Sequence, residues 1–355
     1  MENNNKYSEY TEDAKTGNKY RSMYKNDIVG FINKQREKAD KIRAEYFKPD
    51  TQNMNNYIKD IGKYREDFKR ILGYPLINSP EPCAFDAEEI FVASDGLADI
   101  YRYRIQVLDG VKMYGILLRR KASKGRVPLV ITQHGGGGTA EIICSLYECG
   151  GYSRMARKLL EKADVAIFAP QLLLYLSEEC GEIYNRFLID AELKHMGSSI
   201  DAVEAYGIMR IIDFFSEKDF IDENRIGMQG LSYGGHYTLE VTALDERIKA
   251  AYCSCFFNDR YKSMPQTDWF WQGSAFKFMD AETAAMICPR PLFIEFGLHD
   301  DVFLYENAIN EKVKLQKYYD ELGISDRLVY SVHDGGHIVS PGTEGAEFLI
   351  KHLFK

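Results

Sequence analysis

The chain has 355 residues, of which 45% are hydrophobic and 28% are charged, the balance of an ordinary globular protein. A net charge of -8 argues against nucleic acid as the main partner, because phosphate binding needs a basic surface. No apolar run has the length of a membrane span and the N-terminus lacks the apolar segment of a signal peptide, so we expect no membrane partner and a cytoplasmic location, unless a signal peptide preceded this sequence.

Two helices are predicted in residues 1–80, the expected N-terminal tail and helical extension. Residues 1 to about 24 are polar and should be loosely packed. Apolar residues then recur at helical spacing from Asn26 to Pro49, and again from Met54 to Leu72. The sequence leaves open whether this extension covers a sheet edge, walls an active site, or joins copies of the chain in a homo-oligomer.

Residues 81–355 are predicted to form one α/β catalytic domain. Three segments between Glu88 and Leu118 alternate with period two, and Asp109-Gly110 marks a hairpin, so an antiparallel edge comes first. The unbroken apolar run 127–132 is typical of a buried central parallel strand. Helices and strands then alternate to the C-terminus, which indicates a doubly wound, mostly parallel sheet. Two polar and aromatic excursions, 171–196 and 256–289, interrupt this order.

The segment Gly230-Leu231-Ser232-Tyr233-Gly234 has the nucleophile-elbow pattern G-x-S-x-G. The residues before it are predicted to form a strand and those after it a helix, so Ser232 lies at a sharp turn. The residues two before and two after the serine must be small because they crowd the strand and the helix. The amide of Tyr233 then begins a helix, where it can stabilise negative charge.

A nucleophilic serine needs an acid and a base, and both have candidates after later strands. Asp300 follows the strand predicted over 291–296, with Asp301 as its close competitor; either could instead cap the following helix. His337 follows the flexible Gly335-Gly336 pair after the last strand and is preferred over His333 as the base. The order serine, aspartate, histidine is that of α/β-hydrolases.

The oxyanion hole is expected in the glycine loop after the buried strand, His134-Gly135-Gly136-Gly137-Gly138. The amides of Tyr233 and of Gly136 or Gly137 are the predicted donors, and His134 is expected to hold the loop. A phosphate-binding loop is disfavoured because the G-x-x-x-x-G-K-[ST] pattern is absent. The seven cysteines include no C-x-x-C pair and the seven histidines no HExxH pair, so no disulfide or metal site is expected.

These elements together resemble the α/β-hydrolase superfamily and, within it, the dienelactone hydrolase and acetyl xylan esterase-like branch. The resemblance spans roughly residues 60–355. It includes Leu72-Gly73-Tyr74-Pro75, the segment 221–227 before the elbow, the segment 244–250 after it, and Cys288-Pro289-Arg290-Pro291 before the acid strand. It implies the hydrolysis of carboxylic esters through an acyl-enzyme, without a cofactor, on acylated carbohydrates or other small esters.

Two other functions compete with this interpretation. Serine peptidases of the prolyl-oligopeptidase type share the scaffold, but they usually carry a β-propeller, whereas the roughly 80 residues before the sheet look helical. A catalytically silent binding protein is disfavoured by the complete set of triad residues. Substrate contacts are expected from the aromatic second excursion, with Tyr261, Trp269 and Trp271 as candidates; a locally packed cap explains the same cluster equally well.

Overall fold

The computed structural model describes residues 9–121, 123, 125–148, 150–176, 180–263 and 267–354. Helices α1 to α10 within these ranges cover Asn18–Tyr46, Met54–Leu72, Ala140–Ile143, Met155–Lys162, Arg186–His195, Ile200–Ser216, Tyr233–Leu244, Asp280–Ala285, Tyr305–Glu321 and Glu344–Leu353. Strands β1 to β9 cover Ala87–Ser94, Ala98–Leu108, Val111–Arg120, Val127–Gln133, Ala166–Pro170, Ile221–Leu231, Ile248–Ser254, Leu292–Gly297 and Leu328–His333.

The strands form one nine-stranded sheet in the order β1-β2-β3-β5-β4-β6-β7-β8-β9. Strands β1, β2 and β3 are antiparallel, and β3 pairs with β5 in the antiparallel sense. From β5 to β9 all neighbours are parallel. This architecture confirms the predicted fold: a doubly wound, mostly parallel sheet with an antiparallel N-terminal edge.

The order in which strands are added to the sheet reverses at β4. Strand β5 follows β4 in the chain and pairs with one side of it, whereas β6 pairs with its other side. Every residue of β4 is buried, as its unbroken apolar run predicts for a central parallel strand. In doubly wound sheets the crevice at such a switch point, beyond the carboxyl ends of the strands, is the usual ligand site. Gln133 at the end of β4 pairs with Gly230 of β6, so the glycine loop and the serine turn begin side by side.

The chain divides into two compact units. The larger one contains Pro49–Ser274 and Phe278–Lys355. Helix α2 packs within it, since Tyr57, Phe68 and Leu72 are buried and Arg65 Nε donates to the carbonyl of Ala243 over 2.7 Å. Helix α2 therefore belongs with the sheet, rather than with an extension that ends at residue 80.

The smaller unit comprises the chain up to Lys48 together with Ala275–Lys277. Arg43 Nη1 donates to the carbonyl of Ala275 over 2.6 Å, and the ammonium of Lys277 lies 5.0 Å from the ring of Tyr46. Helix α1 begins at Asn18, so the loosely packed tail expected to reach about residue 24 is shorter; residues 1–8 lie outside the described ranges. A homo-oligomer contact through the N-terminal helices stays a prediction. No helix in the described ranges combines the length and the apolar character that crossing a membrane requires.

Candidate active site

Ser232 stands at the sharp turn between β6 and α7, with backbone angles φ 59° and ψ -122°. A non-glycine residue in this region costs of order 1–3 kcal/mol and persists only where the surroundings impose it. A Cβ on Gly230 would lie 2.3 Å from the carbonyl oxygen of Gly234, and one on Gly234 would lie 2.0 Å from that of Gln133. The glycines of the pattern are therefore required by the close approach of strand, turn and neighbouring strand.

Tyr233 is the first residue of α7, so its amide belongs to the set of N–H groups that have no acceptor within the helix. Its side chain points into the protein, where the hydroxyl donates to both carboxylate oxygens of Asp268 at 3.1 Å. Its ring lies 4.8 Å from that of Trp269. These contacts hold the residue whose amide would face a developing oxyanion.

Asp300 and His337 are brought together after β8 and β9, and His337 Nδ1 donates to Asp300 Oδ2 over 2.8 Å. The other carboxylate oxygen of Asp300 accepts from the amides of Val302 and Phe303, both at 2.8 Å. Asp300 is 2% exposed, whereas Asp301 is exposed. The geometry thus favours Asp300 over Asp301 as the partner of the histidine. The same carboxylate also organises the turn that follows it.

Burial on its own would raise the pKa of Asp300. The hydrogen bond and the charge of His337, with the amides of Phe303 and Val302, outweigh it, so the pKa of this carboxyl lies below its ordinary value. Asp300 is therefore ionised at neutral pH. An ionised carboxylate at Nδ1 fixes the imidazole tautomer that leaves Nε2 free to accept a proton.

The two other histidines near the site have different partners. His333 lies at the end of β9 and its Nε2 is 3.0 Å from the carbonyl of Ile338. His134 is fully buried: Nδ1 is 3.0 Å from the carbonyl of Gly135, and Nε2 accepts from the amide of Leu172 over 3.1 Å. Burial lowers the pKa of His134 to about 4, so the ring is neutral near pH 7. His134 joins the glycine loop to the first excursion, in agreement with a loop-holding role.

The glycine loop has one amide without a partner in the described part of the chain. Gly135 N donates to the hydroxyl of Tyr152 over 2.9 Å, and Gly138 N donates to the carbonyl of Gly135 over 3.1 Å. Gly137 N donates to the carbonyl of Leu174 over 2.7 Å. The prediction of Gly137 as an oxyanion donor is corrected on this ground, because its N–H is already engaged. Gly136 retains a free N–H beside the ring of Tyr233.

The predicted substrate contacts Trp269 and Trp271 are only 2% and 6% exposed. Trp269 packs edge-to-face on Phe256, and Trp271 packs likewise on Phe68. Neither indole offers an open face for stacking on a sugar, so the packed-cap alternative describes them and their assignment to substrate binding is corrected. Tyr261 is half-buried, and its proposed contact with substrate stays a prediction.

Sequence reasoning missed the ion pair that joins the two excursions under Tyr233. Arg186, from the first excursion, donates through Nε to Asp268 of the second over 2.6 Å, and both side chains are at least nine-tenths buried. Asp268 in turn accepts from Tyr233, at the turn itself. Nothing in the local sequence marks either residue, since the contact spans 82 positions.

Comparison with known proteins agrees with this architecture. The family model of the prolyl oligopeptidase family matches residues 199–353, the stretch that holds the serine turn, Asp300 and His337. The Bacillus subtilis (strain 168) protein named Putative hydrolase YtaP is 24% identical over 257 residues, which is 66% of this chain and 82% of that protein.

Solved structures extend the likeness to most of the chain. A glucuronoyl esterase from Solibacter usitatus has a TM-score of 0.65 at 13% identity and covers 87% of this chain and 98% of its own. An acetyl xylan esterase from Paenibacillus sp. R4 has a TM-score of 0.55 at 18% identity, over 88% of this chain and 99% of its own. The chain therefore shares the fold of these structures, which confirms the α/β-hydrolase fold that its motifs predict.

Proposed function

We propose that the protein is a serine-dependent carboxylic ester hydrolase that works through an acyl-enzyme. The observation that carries the proposal is the 2.8 Å hydrogen bond between buried Asp300 and His337, at the sheet edge where β6 also presents Ser232 on its strained turn. Strands β6 to β9 run parallel, so the carboxyl ends that bear these three residues share one edge of the sheet.

The reaction uses each residue in turn. His337 accepts the Ser232 proton as the serine oxygen attacks the ester carbonyl, and Asp300 stabilises the imidazolium that forms. The amides of Tyr233 and Gly136 stabilise the tetrahedral oxyanion. His337 then gives the proton to the leaving alcohol, and water repeats the sequence on the acyl-enzyme.

Acylated carbohydrates are the substrate class that we infer, with other small esters as alternatives. Support comes from the structural neighbours, among them acetyl xylan and glucuronoyl esterases. The first excursion lies against the glycine loop: Gly137 bridges to Tyr175, and the side chain of Leu176 would be 3.4 Å from a Cβ on Gly137. Leu176 is 51% exposed, and we infer that it contacts an acyl or sugar group of the substrate.

Two measurements test the proposal. Ser232→Ala should lower turnover of p-nitrophenyl acetate by up to about 10⁶-fold, the loss typical of a triad serine. It should also abolish labelling by a fluorophosphonate probe, whereas Ser216→Ala, at the end of α6, should leave both unchanged. Turnover that survives in the Ser232 variant would contradict the assignment. Leu176→Ala should change the KM for a bulky ester more than that for the acetate.

A peptidase of the prolyl-oligopeptidase type is the second candidate, because the matching family model bears that name. In the described residues ahead of β1, the regular elements are the helices α1 and α2. Acetylated xylo-oligosaccharides, glucuronoyl esters and aminoacyl-proline amides assayed side by side separate the two. Faster cleavage of the amides would favour the peptidase.

A further inference from the structure

A cluster of buried ionisable side chains lies behind the serine turn, between α6 and α7, and is separate from Asp300 and His337. Its members are at most 7% exposed and are linked by ion pairs: Arg186, Asp201, Glu204, His236, Glu240 and Asp268. Four carboxyl groups thus face a single guanidinium and an imidazole. The nearby guanidinium of Arg260 is engaged by Asp280 at 2.5 Å.

Two of these carboxylates, Asp268 and Glu204, have all their partners outside the group formed by Asp201, His236 and Glu240. Asp268 accepts from Arg186 and Tyr233, and Glu204 accepts from Arg186 and from the amide of Leu173 at 2.8 Å. One oxygen of Asp201 accepts from the hydroxyl of Tyr237 over 2.8 Å, and its other oxygen faces His236. Asp268 and Glu204 therefore need no further ligand, whereas one oxygen of Asp201 is left facing the imidazole of His236.

Glu240 differs from the others. It is 1% exposed, and neither of its carboxylate oxygens accepts a hydrogen bond from the part of the chain that the structure describes. Its Oε2 lies 3.4 Å from His236 Nε2, which is itself 3.2 Å from Asp201 Oδ2. A buried carboxylate without a donor is costly, so this side chain requires either a cation or a proton.

The spacing of the three groups suits a cation. Ligand atoms about 2.0–2.2 Å from a tetrahedral ion are roughly 3.3–3.6 Å apart. The His236–Glu240 separation of 3.4 Å falls in that range and the His236–Asp201 separation of 3.2 Å is close to it. The ligand atoms of Asp201, His236 and Glu240 all lie within 4.8 Å of one another. Glu240 Oε1, which has no hydrogen-bond donor, can join Oε2 in a bidentate contact with the ion.

We propose that Asp201, His236 and Glu240 bind one divalent ion of the zinc type. A mixed imidazole and carboxylate set favours zinc over magnesium or calcium, which prefer oxygen ligands and keep bound water. All three residues are at most 1% exposed, so the site is closed to substrate and its role is structural. The ion joins Asp201 in the first turn of α6 to α7, whose first residue carries the amide of the expected oxyanion hole.

Pairs of histidines are what a sequence search for zinc ligands detects, and this arrangement has one histidine. His236 and Glu240 share a face of α7 one turn apart, while Asp201 comes 35 residues earlier. The expectation that the chain has no metal site is replaced by this proposal. It does not depend on the esterase assignment.

The competing state is a protonated Glu240. Burial, reinforced by the charge of Asp201, raises the pKa of this carboxyl well above its usual range. A proton would satisfy the carboxyl without any metal. The variant Glu240→Gln distinguishes the two states. Glutamine is a good substitute for a protonated glutamic acid, but it is a poor zinc ligand.

The test begins with the wild-type chain, stripped of metal with a chelator and then given zinc chloride. We expect it to take up one zinc ion, measured by elemental analysis, and to melt several degrees higher than the stripped form. Glu240→Gln should lose the bound zinc and the zinc-dependent rise in Tm, while Glu217→Gln, at an exposed position, should retain both. Cobalt in place of zinc should show the visible absorption of a four-coordinate site and no thiolate band, which separates these ligands from the cysteines.

Two results would overturn the proposal. In the first, the wild-type protein takes up no zinc and melts at the same temperature with and without added zinc. Glu240 is then protonated instead. In the second, Glu240→Gln binds zinc as the wild type does, which would mean that other residues hold the ion. If Glu240→Gln does not fold, Asp201→Asn replaces it, and the wild-type measurement still decides because it needs no variant.

Discussion

Gly234→Ala tests whether the close approach of the serine turn to β4 sets the geometry of the site. The added Cβ would lie 2.0 Å from the carbonyl oxygen of Gln133 and 2.9 Å from that of His134. Both are backbone atoms, and Gln133 ends the fully buried strand β4, so neither can rotate aside as a flexible side chain would. The turn must therefore move away from β4 by about 1 Å or more before the contact becomes ordinary.

The size of the effect follows from that displacement. Forcing an extra methyl into a packed interior costs roughly 1–3 kcal/mol. In a chain of this size that lowers Tm by about 1–2 °C per kcal/mol. A displacement of about 1 Å at a catalytic group costs on the order of 10²-fold in rate. We therefore expect turnover of p-nitrophenyl acetate to fall at least that far, with only a modest fall in Tm.

The matched control is Gly62→Ala in α2, where the added methyl meets nothing within 4 Å. Alanine is favoured over glycine inside a helix by roughly 0.5–1 kcal/mol, so this variant should be slightly more stable and fully active. Thermal melting and ester turnover are measured on both. If Gly234→Ala keeps wild-type turnover and Tm, the turn is free to relax and the steric reasoning fails.

Three further predictions follow from the contacts of the site. Asp300→Asn should lower kcat by about 10⁴-fold, as expected when the imidazole loses the partner that fixes its tautomer, whereas Asp301→Asn should stay near wild type; equal losses would count against Asp300. His134 has an ordinary pKa of 6.5 and a folded value of about 4, so the unfolded chain binds the extra proton and stability should fall as pH drops from 6.5 to 4. Urea unfolding measured across that pH range should show that the free energy of unfolding depends less steeply on pH in His134→Asn than in the wild type. The same pH dependence in both proteins would refute the assignment. Arg186→Met should destabilise the fold by about 3–5 kcal/mol, because Asp268 and Glu204 are left buried without their cation; a change within error in urea would mean that these carboxyls find other donors.

The parts of the site that the sequence predicts are those that follow local rules. A G-x-S-x-G turn needs only its own strand and helix, and Asp300 and His337 each follow the end of a later parallel strand. Strand ends in a doubly wound sheet meet at one edge, so the order of elements along the chain is enough to place the three residues near one another. The helix and strand types follow from hydrophobic period in the same way.

Non-local packing accounts for what the sequence does not reveal. Trp269 and Trp271 look like a stacking surface in composition, but buried and exposed aromatics have the same residue types, and only the fold shows that they lie among Phe256 and Phe68. Gly136 and Gly137 are equivalent in the sequence. They differ only because the carbonyl of Leu174, 37 residues after Gly137, accepts a hydrogen bond from the amide of Gly137 and not from that of Gly136.

The same packing links specificity to turnover. The excursions that would contact substrate are not independent flaps, because Arg186 of one is paired with Asp268 of the other, and Asp268 holds the hydroxyl of Tyr233. The amide of Tyr233 is one of the two that we propose stabilise the oxyanion. A change to either member of this pair should therefore reach the amide of Tyr233, so substitutions at Arg186 or Asp268 should alter kcat as well as KM, even for an acetate too small to reach the excursions. Exposed Leu176, which is outside the pair, should alter KM alone.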